Sequence, residues 1–346
     1  MKFATAPMLT PPLGPTPGLM IGRHALTNPV LLAPMTGVSD LPFRRMAARL
    51  GAGLVVSEMV ASRELVNERP DVVRRSAGGG LDLHVVQLVG CETHWMAEGA
   101  RLAEAGGADV IDINMGCPSR EVTGRASGSA LMREPDHALA LIEAVVGAVK
   151  VPVTLKMRLG WDDRSLNAPE IAARAEAAGI QLVTVHGRTR CQFFKGEANW
   201  AGVAAVKAAI AIPVVVNGDI GTPRHAASAL EQSGADGVMV GRGAYGAPWM
   251  PARIARALSS RRDPGDPPLS EQTIIAVEHI TAMLAHYGRA LGLKNARKHV
   301  GWYLETSGRE TAVVKAWRRR LCTEENDQRL LAGLAEFYDD AQEAAA

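Results

Sequence analysis

The chain has few cysteines, few aromatic residues and no long apolar run, and each shortage excludes a class of protein. Its four cysteines, Cys91, Cys117, Cys191 and Cys322, are scattered and form no C-x-x-C. That spacing rules out a disulfide framework and a zinc ribbon, points to a reducing, cytoplasmic environment, and leaves no metal site to expect. No stretch approaches the roughly 18 apolar residues of a membrane span. Neither sign of charge dominates: Lys and Arg number 38 against 36 Asp and Glu, a net charge of +2. A polyanionic partner is therefore not announced by a global field; only local clustering could serve one. Aromatics make up 4% of the chain, while glycine, at 35 of 346 residues, is abundant. That mixture suits many tight turns around an aliphatic core. Pro7, Pro11, Pro12, Pro15 and Pro17 interrupt the first twenty residues, so no signal-peptide apolar region forms there. Residues 1–19 read as a proline-rich leader.

From residue 30 a period emerges. Short β-rich runs recur at 30–35, 54–59, 84–89, 110–114, 152–158, 182–186, 213–217 and 237–240. Ala-rich amphipathic stretches such as 92–105, 136–149, 169–178 and 223–232 separate many of them. Continuous apolar strands alternating with helices describe parallel βα units buried on both faces. Eight such units predict a (β/α)8 TIM barrel in the α/β class, spanning residues 20–257. An open doubly wound sheet fits less well, because polar residues end all eight strands instead of gathering at one switch point. Residues 258–269 have linker composition, and 270–286, 294–306 and 323–345 read as helices with no strand between. A small all-helical domain over 270–346 is expected to follow the barrel. Between His286 and Arg320 it carries nine Lys or Arg against Glu305 and Glu310.

In a barrel the C-terminal strand ends form the active face. Read in order, they offer Met35 and Thr36, Glu58, Gln87, Asn114 with Cys117, Lys156 with Arg158, His186 with Arg188, Asn217-Gly218-Asp219, and Gly241-Arg242. Glycine turns after the seventh and eighth strands suit a phosphate held by backbone N–H groups, with Arg242 adding charge. A flavin mononucleotide there would lay its ring over the barrel mouth. Gln87 carries both a donor and an acceptor for the ring's pyrimidine edge. Lys156 offers a fixed cation, unless it pairs with Glu58, and His186 either meets phosphate or substrate or packs as a structural histidine. Cys117 is framed by Gly116 and Pro118 on the active face, and with an ordinary pKa near about 8.5 it would be a protonated thiol at neutral pH. The loop from Ser119 to Ser129, with Arg125, could close over a substrate.

Together these pieces resemble the bacterial tRNA-dihydrouridine synthases. The matching segments are residues 33–40, 57–59 and 112–118, Gly128-Ser129-Ala130-Leu131, Lys156-Met157-Arg158, His186-Gly187-Arg188-Thr189, Asn217-Gly218-Asp219 and Gly241-Arg242, with residues 296–299 and Trp302-Tyr303 near the C-terminus. Asn-Met-Gly-Cys-Pro with His-Gly-Arg-Thr-Arg is most similar to the B-type subfamily. Thr36 stands where many relatives carry alanine. The resemblance implies FMN contacts from Pro34, Met35, Thr36, Gln87, Lys156, His186, Asn217, Gly218, Asp219, Gly241 and Arg242. It makes Cys117 the proton donor and gives Asn114 and Arg158 contact with the target base. It implies reduction of a uridine in the D-loop of tRNA, position 17 for the B-type, with NADPH or NADH as reductant. The basic helical segment, Arg297, Lys298 and His299 included, becomes the tRNA platform; no membrane and no obligate protein partner are expected. Two other readings compete: an FMN barrel reducing a small conjugated molecule, and a non-catalytic RNA-binding protein that kept the fold.

Overall fold

The computed structural model describes residues 19–345 apart from Arg125. The leader, Leu19 excepted, and Arg125 of the 119–129 loop therefore lie outside the described residues.

Eight parallel strands ring the molecule: β1 (Val30–Leu32), β2 (Leu54–Val55), β3 (Val85–Val89), β4 (Val110–Met115), β5 (Val153–Arg158), β6 (Val183–His186), β7 (Val214–Asn217) and β8 (Gly237–Val240). Apart from β2 and β3, each pairs in parallel with its neighbour in sequence, and β8 returns to β1 through Val238↔Val30. The ring closes between β2 and β3 by the parallel bridge Val56↔Val85 and by Ser57 N–H donating to Val85 O at 3.1 Å. A short strand, Val60–Ala61, extends that side by pairing with β3. The TIM barrel read from the sequence is the fold.

Alternation along the strands decides what the barrel holds. Val30 and Leu32 belong to the layer shared with the surrounding helices, whereas Leu31 and Ala33 join Leu54, Val56, Val85, Val110, Leu182, Val215 and Met239 in a separate interior cluster. Leu19, Ile21 and Leu26 close its floor, Ile21 and His24 lying in a small antiparallel hairpin (Met20–Ile21 with His24–Ala25). Leu19 is thus part of the packed barrel and not of a leader. One step further along, the same inward parity brings Gln87, Asp112, Asn114, Thr154, Lys156 and Asn217, all buried. The barrel is apolar at its floor and polar towards its mouth.

The main outer helices are α1 (Leu41–Leu50), α2 (Thr93–Ala105), α3 (Pro135–Val146), α4 (Ala168–Ala177), α5 (Ala204–Ala209), α6 (Pro223–Ser233) and α7 (Met250–Ser260). Asp40 caps α1, its carboxylate accepting Phe43 N–H at 3.0 Å, and Gly51 ends that helix in the left-handed region. Four further helices follow: α8 (Leu269–Tyr287), α9 (Arg289–Thr306), α10 (Thr311–Leu321) and α11 (Asp327–Ala345). The three helices expected from the sequence correspond to α8, α9 and α11, and α10 is an addition to them. These helices dock on α1: Arg49 holds Glu278 through both oxygens at 2.6 and 2.7 Å, and Phe43 packs on His279 and His299. Tyr245, after β8, stacks on Trp302 of α9 with ring centroids 4.0 Å apart.

Candidate active site at the barrel mouth

The barrel mouth is built by one residue type at a time taking the inward position. Lys156 of β5 is buried, and its ammonium donates to Asn217 Oδ1 at 3.1 Å, whose own amide nitrogen donates to Met239 O at 2.8 Å. No carboxylate lies within 4 Å of Lys156 among the described residues, so the ion pair with Glu58 does not form. Glu58 instead accepts the backbone N–H of Gly37 and fixes the loop bearing Met35 and Thr36. Burial, reinforced by Arg158, lowers the Lys156 pKa to about 8. A desolvated cation with one neutral partner is suited to a polarisable or anionic acceptor above it.

Cys117 follows β4 in a turn held from three sides. Asn114 Oδ1 accepts the N–H groups of Gly116 at 3.2 Å and Cys117 at 3.0 Å. Cys117 O accepts Ser129 N–H at 3.1 Å and Ser129 Oγ–H at 2.8 Å. Gly128, at φ +60°, permits that approach: a Cβ there would lie 2.7 Å from Val122 and 2.9 Å from Cys117 O. Burial pushes the thiol pKa above its ordinary 9.0, with Arg158 and Lys156 pulling the other way. The thiol therefore carries its proton at neutral pH, the state required of an acid.

Arg158, expected to touch a substrate base, is 1% exposed. Its Nε donates to Gly116 O at 2.7 Å and its Nη1 to Thr189 O and Phe193 O, both at 2.9 Å. Those bonds tie the cysteine turn to the loop after β6. Asn114 likewise directs its side chain inward, with Nδ2 donating to Gln87 Oε1 at 2.8 Å. The bonds of both residues are structural; each retains a further N–H beyond the ones described.

On the far side of the mouth, Arg188 donates to both oxygens of Asp219 at 3.0 and 2.5 Å. Its Nη1 also lies 3.3 Å from His186 Nε2. Burial, with Lys156, Arg158, Arg188 and Arg242 around it, holds His186 well below the usual histidine range, so the ring is neutral and its Nε2 accepts. Arg242 is exposed and reaches Asp219 Oδ1 at 3.2 Å. The β7 and β8 loops touch where a Cβ on Gly243 would lie 2.5 Å from the Gly221 Cα, while one on Gly241 would meet nothing nearer than 3.9 Å. Backbone this close at Gly243 and open at Gly241 is of the kind that could admit a phosphate. Pro34, Met35 and Thr36 line the rim, with Thr36 exposed.

The helical residues separate. His299 is 1% exposed, wedged among Phe43, His279 and Trp302, and so lies in the core instead of on an RNA-facing surface. Lys298 lines a cleft of about 270 Å3 with Thr36, Gly37, Asp40, Glu58 and Tyr287. Arg297 is half-buried, with Nε enclosed and unpartnered. Arg289 pairs with Asp327 at 3.3 Å, Arg320 with Glu336 at 2.7 Å, and Arg318 with Glu305. Lys294, Lys315 and Arg319 are exposed and have no ion pair among the described residues. Part of the basic cluster is thus neutralised internally, and these three carry the open charge. Sequence reasoning did not single out Asp112 or Thr154 as functional; their inward parity with Asn114 and Lys156 was the available signal.

A parallel barrel with glycine loops after its last two strands and a buried lysine and a cysteine turn at its mouth has the architecture of a barrel enzyme. The dihydrouridine synthase family model matches residues 31–344. The chain belongs to that family. It is 60% identical over 285 residues to a probable tRNA-dihydrouridine synthase of Rhodobacter capsulatus, covering 82% of this chain and 88% of the relative. It is 43% identical over 325 residues to tRNA-dihydrouridine synthase B of Pseudomonas putida, covering 94% and 95%. Among solved structures, a 2-naphthoyl-CoA reductase complex superposes with a TM-score of 0.53 at 15% identity, over 70% of this chain and 52% of that one, a likeness of fold. No helix among the described residues is long and apolar enough to cross a membrane.

Proposed function

We propose that this chain is a tRNA-dihydrouridine synthase that reduces the C5=C6 bond of a D-loop uridine, with position 17 favoured by its B-type motifs, and that it works in the cytoplasm. The observation that carries the reading is that Cys117, its turn held by Asn114, and the buried Lys156, held by Asn217, stand on adjacent strands β4 and β5 at one barrel mouth. The residues present fit FMN. Gly218, Asp219, Gly241 and Arg242 would hold the phosphate, Gln87, Lys156 and Asn217 the pyrimidine edge, His186 the space between, and Pro34, Met35 and Thr36 the remaining ring face. Bound FMN, once reduced by NADPH or NADH, would supply a hydride to uracil C6.

The chain's own residues then have defined tasks. As C6 is reduced, negative charge develops towards C5 and O4, and the Cys117 thiol delivers its proton to C5. Arg158 and Asn114 keep the thiol's turn in place and present their remaining N–H groups to the base. Lys156 supplies a fixed positive charge that needs no reorganisation during the reaction. A uridine must leave its stack to arrive here, at a cost of a few kcal/mol, which phosphate contacts from Lys294, Lys315 and Arg319 would offset.

The test is incubation of purified protein, FMN and NADPH with unmodified tRNA transcript, followed by nucleoside analysis. Dihydrouridine in the D-loop is the expected product. Turnover of free pyrimidines or enones with no dihydrouridine in tRNA would support the small-molecule reading instead.

A further inference from the structure

Asp112 is a buried carboxylate that the proposed reaction does not use, and it heads an unbroken chain of hydrogen bonds. In the sheet, Gln87 stands opposite Asp112 and Asp112 opposite Thr154. Thr154 Oγ1–H donates to Asp112 Oδ1 at 2.6 Å and Gln87 Nε2–H to Asp112 Oδ2 at 2.6 Å. Gln87 Oε1 accepts from Asn114 Nδ2 at 2.8 Å, and Asn114 Oδ1 accepts the Cys117 N–H at 3.0 Å. The backbone of Gln87 is pinned as well, its N–H donating to Ser57 Oγ at 2.9 Å.

An amide side chain can turn over and exchange its oxygen for its nitrogen; an ionised carboxylate only accepts and a backbone N–H only donates. Each end of this chain is therefore fixed in sense. Asp112 requires the nitrogen of Gln87, which turns the Gln87 oxygen to Asn114. That requires the nitrogen of Asn114 and turns its oxygen to Cys117. Only one arrangement satisfies every bond. An amide at 112 could present its nitrogen as readily as its oxygen to Gln87, so the sense of both amides would then be held from the Gly116 and Cys117 N–H end alone. Burying a carboxylate without an ion pair is costly, and apolar residues fill the same inward positions lower in the barrel. A cost borne at this one level is accounted for by what it orients.

We propose that Asp112 is a positioning residue that locks the orientation of Gln87 and Asn114 from the end opposite the Cys117 N–H, and through them both the hydrogen-bonding pattern offered to the flavin edge and the seat of Cys117. The proposal rests on the flavin and thiol roles given above. Burial raises the Asp112 pKa, and the hydrogen bonds from Thr154 and Gln87, with Lys156 nearby, oppose that shift by favouring the charged, accepting form on which this end of the chain depends.

The experiment uses the full chain loaded with FMN and compares wild type with Asp112→Asn. Peptide-resolved alkylation of Cys117 by iodoacetamide at fixed pH should be faster in the variant by fivefold or more. The visible flavin spectrum should shift, and kcat on tRNA should fall at least tenfold with KM within threefold. A folded Asp112→Asn with wild-type alkylation, spectrum and kcat would overturn the proposal. If that variant does not fold, Thr154→Val serves, since it removes only the donor to Oδ1. Twofold or greater changes in the same direction are then expected, and wild-type values would overturn the proposal. Full activity of Cys117→Ala would instead refute the thiol's role while leaving the alkylation and spectral readouts to judge Asp112.

Discussion

Arg188 holds both carboxylate oxygens of Asp219 while being almost wholly buried itself, at 1% exposure. The pair joins the loop after β6 to the loop after β7, and the Asp219 carboxylate also accepts the Ala198 N–H at 2.9 Å and meets Arg242. Asp219 itself has φ +54°, a backbone state that asparagine and aspartate tolerate better than alanine.

Removing that carboxylate leaves a buried guanidinium uncompensated. Breaking a buried pair costs about 3–5 kcal/mol; the Asp219 side chain is 28% exposed, which places this case at the lower end. Asp219→Ala should therefore lose about 3 kcal/mol in urea unfolding, and Asp219→Asn less, because it keeps an acceptor and suits the backbone. Equal stability of wild type and Asp219→Ala would remove the pair from the account.

His299 gives a prediction about acid. Burial holds its folded pKa well below 6.5, so below pH 6.5 the unfolded chain takes up a proton that the folded chain refuses. Stability is fully present above that pH and falls as pH drops, by about 1.4 kcal/mol per unit for one such group. His279, whose pKa burial lowers to about 3, acts in the same sense, whereas Asp40, raised by burial to about 6, opposes between its unfolded value and that point. Comparing wild type with His299→Leu cancels those shared contributions. The stability difference should move in the variant's favour by about 1.4 kcal/mol per unit between pH 6 and 4. Parallel stability curves across that range would contradict it.

The three exposed basic residues predict a salt effect. Replacing Lys294, Lys315 and Arg319 together by glutamine should weaken tRNA binding. Each lost phosphate contact should lower the slope of log K against log salt by about 0.7–0.9. Flavin content should be unchanged, since these residues belong to α9 and α10 and not to the barrel strands or their loops. An unaltered slope would mean that these residues solvate a helical face and nothing more.

Much of this arrangement was legible because β-strand alternation and glycine turns are local rules. The apolar runs announce the barrel, and alternation places Gln87, Lys156, His186 and Asn217 on the inward side of their strands, towards the mouth. Helix α10 was not read, because Thr311–Leu321 buries only Val314 and Leu321 and ends in three arginines. His299 is deceptive in its sequence setting: Arg297-Lys298-His299 looks like a surface run, yet helical spacing aligns His299 with Ala296 and Tyr303 on the buried face. The pairing of basic residues with Glu305, Asp327 and Glu336 depends on how three helices pack, which no local pattern encodes.

The central claim is that Cys117 supplies the proton to C5. Its most direct test is Cys117→Ala, loaded with FMN and given NADPH and unmodified tRNA. Flavin retention and its reduction by NADPH should match wild type, while dihydrouridine formation falls by about 10²-fold or more, as expected for loss of a general acid. Near-normal dihydrouridine formation by this variant would contradict the account.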